Sequence, residues 1–220
     1  MIKLTIEALY TLQLMNDKSN DLPFLPLPVS DENESRKSQL KKILEKGYKD
    51  LEEIGLLEEG RPTDDFVKFG YYVELYNQNS YHFQIDSNYF CAPGVDKEKK
   101  MAIVIKQVGD NEYIIDYFNT IALLSILLEN HEILHHLADK KKNYMKSEWE
   151  PYSFMRLQAY YQDSKMIRLK TEELGKVIND VLFFNSKSGL FEYDLKSEKI
   201  RSVSVDQLKT TLIHGMKVSI

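Results

Sequence analysis

The chain predicts an α+β fold in which two similar halves contribute one central antiparallel sheet, flanked by helical bundles. Three observations carry that expectation. Apolar residues fall at helical spacing through the first 77 positions, and after Asn79 the pattern changes to alternation. Two segments, Tyr113–Asn119 and Ile200–Asp206, then read as alternating strands that each end in an Asx residue able to cap the helix it opens. Side-chain identity between those segments is slight. They are either an echo of two halves or ordinary strand–turn–helix chemistry used twice.

Taken in order, Leu4, Ala8, Leu9, Leu12 and Met15 define one face of an opening helix. The three prolines of Leu22-Pro23-Phe24-Leu25-Pro26-Leu27-Pro28 forbid helix and predict an extended segment whose apolar residues pack on another element. Leu40 to Leu57 predicts a helix interrupted at Gly47 and ending near Gly55. Arg61-Pro62-Thr63-Asp64-Asp65 is a turn and cap for a helix bearing Phe66, Phe69, Tyr72, Val73 and Tyr76, with no hairpin before it. Strands follow at Tyr81–Ile85 and near Tyr89-Phe90, then a charged loop over Pro93–Lys100, a hairpin of Met101–Val108 with Tyr113–Phe118, and a helix from Thr120 to about Asp139 capped by Asn119. Trp149–Arg168 is ambiguous between helix and strand. A helix with Leu174, Val177 and Ile178 is expected after Thr171-Glu172-Glu173. Strands at Val181–Phe184, Leu190–Leu195 and Ile200–Val205 precede a last helix from Asp206. The organisation expected is one α+β domain over 1–220, with sub-halves 1–140 and 141–220.

Composition narrows the function classes. The net charge of −5 argues against a general polyanion-binding surface, so no nucleic-acid partner is expected. Hydrophobic residues at 43% exclude global disorder. A lone cysteine, Cys91, excludes an internal disulfide and suits a reducing, cytoplasmic compartment. The opening Met1-Ile2-Lys3-Leu4-Thr5-Ile6-Glu7 has no signal-peptide pattern, and the longest apolar run, Ile121–Leu128, is far short of a membrane span, so no membrane insertion is expected.

His131-Glu132-Ile133-Leu134-His135 matches the H-E-x-x-H pattern of zinc peptidases, in which two imidazoles four apart on a helix face one metal and the glutamate activates its water. A third ligand is missing from the pattern: Glu148, Glu150, Glu172, Glu173 and His214 lie downstream, none in a companion motif. A helix break at Asn130 would also put the two histidines on different faces. The alternative is a helix end that holds three histidines beside a buried Leu124, Leu127, Leu128, Ile133, Leu134 and Leu137 stripe. No cofactor is therefore expected, and a zinc-dependent metallopeptidase is the second reading.

Basic residues along Leu40–Leu57 are interleaved with acids and read as a solvated face and not a DNA-binding helix. Tyr144, Trp149, Tyr152, Phe154, Tyr160 and Tyr161 cluster within 18 residues, as either an interface or the core of the second half. The Pro93–Lys100 loop is a second candidate contact surface.

The amphipathic opening Leu4-Thr5-Ile6-Glu7-Ala8-Leu9, the Leu22-Pro23-Phe24 segment, the Leu51-Glu52-Glu53-Ile54-Gly55-Leu56 helix end, the Pro62-Thr63-Asp64-Asp65 helix start and the two sheet-plus-helix halves together resemble the EspG-like chaperones of type VII (ESX) secretion, and more closely their Gram-positive relatives. The chain departs from the better-known members in its low Gly and Ala and its Lys-, Tyr- and Asn-rich composition. The resemblance implies a non-enzymatic cytoplasmic chaperone or adaptor that holds one helical secretion substrate before export. It places partner-binding residues at Val95 and Lys97 in the sheet loop and at Tyr144, Trp149, Tyr152 and Phe154 on the C-terminal side. A homodimer is compatible with this scheme.

Overall fold

The computed structural model describes residues 1–15, 22–28, 35–135, 166–186 and 189–218. Among these are five α-helices, a two-stranded hairpin and an eight-stranded antiparallel sheet, an α+β architecture.

The helical layer is α1 (Ile6–Met15), α2 (Arg36–Glu53) and α3 (Asp64–Gln78). Each start is set by a hydroxyl. Thr5 Oγ1 accepts from the Ala8 amide at 3.1 Å, Ser35 Oγ from Ser38 at 3.3 Å and Thr63 Oγ1 from Phe66 at 3.3 Å. Leu4 does not belong to the helical face expected of it. It exchanges two 2.8 Å backbone hydrogen bonds with Tyr113, so the chain touches the sheet before it turns into α1.

Gly47 does not interrupt α2. A Cβ there would collide with the Glu7 carbonyl and Thr11 Oγ1, so the glycine permits α1 and α2 to cross at close range. The crossing is tied by Thr5 Oγ1 to Asp50 Oδ2 at 2.5 Å and by Lys46 Nζ to Glu7 Oε1 at 2.6 Å. Burial raises the Glu7 carboxyl, but hydrogen bonds from Lys46 and Asn111 outweigh it and hold the group below its ordinary range. Gly55 ends α2 with φ +74°, as expected of a C-terminal glycine. A short hairpin, β1 (Leu57–Glu58) and β2 (Arg61–Pro62), intervenes where a direct run into α3 is expected. Glu59 and Gly60 both take positive φ and close it tightly. The proline segment also departs from a plain extended strand. Leu22 C=O accepts from the Leu25 amide at 3.2 Å, which closes a turn that buries Leu22 and Leu25, and Tyr76 donates its hydroxyl to Pro23 O at 2.7 Å.

The sheet is two meanders joined back to back. The first comprises β3 (Tyr81–Ile85), β4 (Tyr89–Asp96), β5 (Met101–Gly109) and β6 (Glu112–Asn119), and opens into α4 (Thr120–Asn130). The second comprises β7 (Met166–Glu173), β8 (Lys176–Ser186), β9 (Gly189–Asp194) and β10 (Lys199–Ser202), and opens into α5 (Val205–Gly215). The strand order is β10-β9-β8-β7-β3-β4-β5-β6, with the two first strands, β3 and β7, paired antiparallel at the centre. The same strand–strand–strand–strand–helix order thus runs outward in both directions.

The structure departs from the sequence expectation at three further places. The helix expected at Leu174 is a β7–β8 hairpin, with Leu174 and Gly175 at φ +50° and +75° in its turn. Its Thr171 and Glu172 pair with Phe83 and His82, because the central seam of the sheet needs a strand there. The charged loop is shorter than Pro93–Lys100: β4 continues through a bulge at Gly94 to Asp96, leaving a turn over 97–100. The last helix is capped by Ser204, not Asp206, in a reciprocal box with Gln207.

Alternation along the strands sorts two cores. Phe90, Ala92, Ile103, Ile105, Tyr113 and Ile115 face α1 and α3, where Leu9, Leu12, Val73 and Tyr76 meet them. Tyr89, Cys91, Ala102 and Val104 point the other way, onto Leu123 and Leu127 of α4 and Leu208 and Leu212 of α5. On the second meander Met166, Leu182, Phe184 and Tyr193 form a smaller cluster on the face opposite the α4–α5 core.

Candidate functional site

The histidine motif is divided by the end of its helix. Helix α4 stops at Asn130, His131 adopts an extended backbone at φ −105°, ψ 105°, and Glu132–Leu134 is a single 3-10 turn. His131 and His135 therefore do not share a helical face. His131 is buried, with Nε2 2.9 Å from Asp86 Oδ2 and Nδ1 3.1 Å from the Leu127 carbonyl. Both ring nitrogens face oxygens, so neither presents a lone pair to an ion. His135 is exposed and its Nε2 contacts the Leu128 carbonyl. Among the described residues no three His, Cys, Asp or Glu side chains are grouped to hold a metal.

Cys91 lies in the α4–α5 core, where burial pushes its thiol up to about 12, far from a nucleophile's range. His82 is buried against the Tyr76 ring at 4.8 Å and bonded to the Tyr76 carbonyl at 2.8 Å. Burial lowers its ring below the usual histidine range.

Of the partner-binding residues expected from the sequence, Val95 is half-buried against the α1–α3 core and Lys97 is exposed in the β4–β5 turn. Tyr144, Trp149, Tyr152 and Phe154 lie outside the described residues. The sequence reading missed two features. The first is the outward side of α4. Leu123 and Leu127 are buried, yet Ile121 and Leu128 remain 47% and 38% exposed, with Leu124 partly exposed between them. The signal was present, since Thr120–Leu128 carries no charge and is more apolar than one buried face requires.

The second feature is a cleft of about 140 Å³ at the N-terminal end of α4, lined by Gly94, Lys97, Lys100, Thr120, Met216 and Lys217. No sequence signal joins residues 97–100 to 217; the packing of α5 beneath the β4–β5 turn brings them together. Lys217 Nζ sits 4.0 Å from the centre of the Tyr81 ring. Burial lowers its ammonium, Glu173 opposes that and Lys97 adds to it, leaving the group below the ordinary lysine range.

No family model matches the chain, and no curated protein matches it. Among the described residues no helix is long and apolar enough to cross a membrane.

Proposed function

We propose that this protein is a non-enzymatic binding scaffold that holds a helical partner, acting as a chaperone or adaptor. The observation that supports it most is the outward face of α4, where Ile121, Leu124 and Leu128 form an apolar stripe at helical spacing on a helix anchored to a rigid sheet. Such a stripe, bordered by Lys99 and Lys100 at one end and Glu129 at the other, has the make-up of an interface centre with a polar rim. An amphipathic helix laid along it would bury both apolar faces at once. The resemblance to EspG-like chaperones adds the finer reading, a helical type VII secretion substrate held in the cytoplasm before export.

The test is co-expression with the small helical-hairpin substrates of a type VII secretion locus, followed by size-exclusion chromatography with light scattering. The expected result is a stoichiometric complex with one of them, lost in the double variant Ile121→Asp with Leu128→Asp while the circular dichroism spectrum is unchanged. Absence of any complex with the unmodified chain, or a complex untouched by the double variant, overturns the proposal. A mass of two copies that falls to one in the double variant would instead assign the stripe to self-association.

A further inference from the structure

We propose that the cleft between the β4–β5 turn and the two helix ends binds a compact phosphoryl anion. Lys97 and Lys100 of the β4–β5 turn line it on one side and Lys217, just past α5, on the other, and no acidic side chain is among its lining residues. The nearby acids are placed differently. Asp96 is engaged by Lys99, its Oδ1 accepting from the Lys99 amide at 3.0 Å and its Oδ2 lying 3.7 Å from Lys99 Nζ. Glu98 is exposed in the turn, and Glu173 acts on Lys217 from β7. Three lysines therefore line one small volume in a chain whose net charge is −5. Burial and Lys97 both disfavour the Lys217 ammonium, Glu173 offsets them only in part, and an anion seated between the lysines would complete that compensation.

The count and type of these groups select the ligand. A single carboxylate would neutralise one lysine of three, whereas a phosphate monoester or diphosphate carries two or three negative charges on one compact centre. Lysine ammonium groups bind such a centre as point charges. The positive end of α4 adds to the field at Thr120. Its first amides are already occupied: Thr120 N–H donates to Lys100 O at 2.9 Å, and the Ile121 and Ala122 amides donate to Asn119 Oδ1. Recognition therefore rests on the lysines. Lys217 is already held on the Tyr81 ring, so part of its side-chain entropy is lost before the ligand arrives. This proposal is independent of the reading of the α4 stripe.

The experiment is titration of the isotopically labelled full chain with inorganic pyrophosphate at constant ionic strength, followed by amide NMR. Saturable shifts confined to Gly94, Lys97, Lys100, Thr120 and Lys217 are expected, weakened at least tenfold in the Lys97→Gln, Lys217→Gln double variant, whose otherwise unchanged spectrum reports the fold. A parallel arm uses vesicles of phosphatidylcholine with and without phosphatidic acid. Binding of pyrophosphate supports the site with a free phosphate ester as ligand, and binding of phosphatidic acid vesicles alone supports it with a lipid headgroup. Weak, delocalised shifts reproduced by sodium chloride, or shifts that the double variant retains, overturn it, as does no response in either arm.

Discussion

Asp86 and His131, 45 positions apart, meet in a buried 2.9 Å hydrogen bond that joins the β3–β4 turn to the end of α4. Asp86 also reaches the second meander: its amide donates to Arg168 O at 2.8 Å, and its Oδ1 accepts from the Arg168 amide at 2.8 Å. One carboxylate thus fastens both meanders and a helix end, while His131 meets the Leu127 carbonyl twice, through its backbone amide at 3.0 Å and its ring Nδ1 at 3.1 Å.

Asp86→Ala is accordingly expected to cost about 1–3 kcal/mol, because it strands buried partners and places alanine at φ +53°. Asp86→Asn tolerates that backbone, still accepts from Arg168, and should cost distinctly less. Urea unfolding of the two variants measures the difference. Stability of Asp86→Ala equal to that of the unmodified chain would show that the carboxylate does not hold this junction.

The same geometry separates a structural histidine from a metal ligand. His131→Ala should lower the unfolding midpoint by about 1–3 kcal/mol, whereas the exposed His135→Ala should change it by less than about 0.5 kcal/mol. Zinc titration of the unmodified chain is expected to give no stoichiometric uptake that both substitutions abolish. Uptake lost equally in both variants would restore the peptidase reading.

These residues also show what was legible in the sequence. Strand β3 could be read because Tyr81, Phe83 and Ile85 alternate with polar residues, and the β5–β6 hairpin because β-branched runs flank Gly109–Glu112; β4, buried on both faces, gave only Tyr89-Phe90. Asn119 could be read as a cap because its carboxamide does what that side chain does in isolation. The Asp86–His131 junction could not, since neither residue carries a local pattern that points to the other. The Lys97–Lys217 cleft was hidden for the same reason. Leu174 to Ile178 misled because an acidic pair followed by spaced apolar residues satisfies a helix start, while the demand for a strand came from Tyr81–Ile85, nearly a hundred residues earlier.

His82 gives a pH dependence of definite sign. Its folded value lies below the ordinary 6.5, so the native state binds fewer protons than the unfolded chain in that interval. The contribution is present above pH 6.5 and is lost as pH falls through the folded value. Thermal unfolding between pH 7.5 and 5 should show the fall, and His82→Gln should flatten it. Lys217 lowers His82 electrostatically, so Lys217→Gln should move the His82 ring titration upward in NMR.

Gly215 closes α5 directly over the Phe83 ring, and a Cβ there would lie inside the ring's van der Waals envelope. Phe83 is buried in the centre of the α4–α5 core and has no room to retreat. Gly215→Ala is therefore expected to destabilise by about 1–3 kcal/mol through overpacking, although alanine is the better helix former. Unfolding in guanidinium measures this, and a stabilised variant would contradict the close approach.

Cys91 should be inert while the fold persists. Burial pushes its thiol up to about 12, which keeps it protonated near neutral pH, and the same burial blocks access to it. A chromogenic disulfide reagent should react with one equivalent of thiol only after denaturant is added. Rapid reaction of the native protein would show that the core opens at this strand.

Leu174 offers a stabilising change. It stands 78% exposed at φ +50° in the β7–β8 turn, a conformation that costs an ordinary L-residue about 1–2 kcal/mol and that asparagine adopts readily. Its backbone amide donates to Ser80 O at 2.8 Å, a bond independent of the side chain. Leu174→Asn should therefore retain the turn, remove exposed apolar surface and raise stability by about 0.5–1 kcal/mol, read as a higher urea midpoint at unchanged slope. Gly175→Ala, at φ +75°, should lower it by about 1 kcal/mol. Opposite signs at adjacent positions would identify this segment as a tight hairpin, since in a helix asparagine for leucine would lose stability and alanine for glycine would gain it.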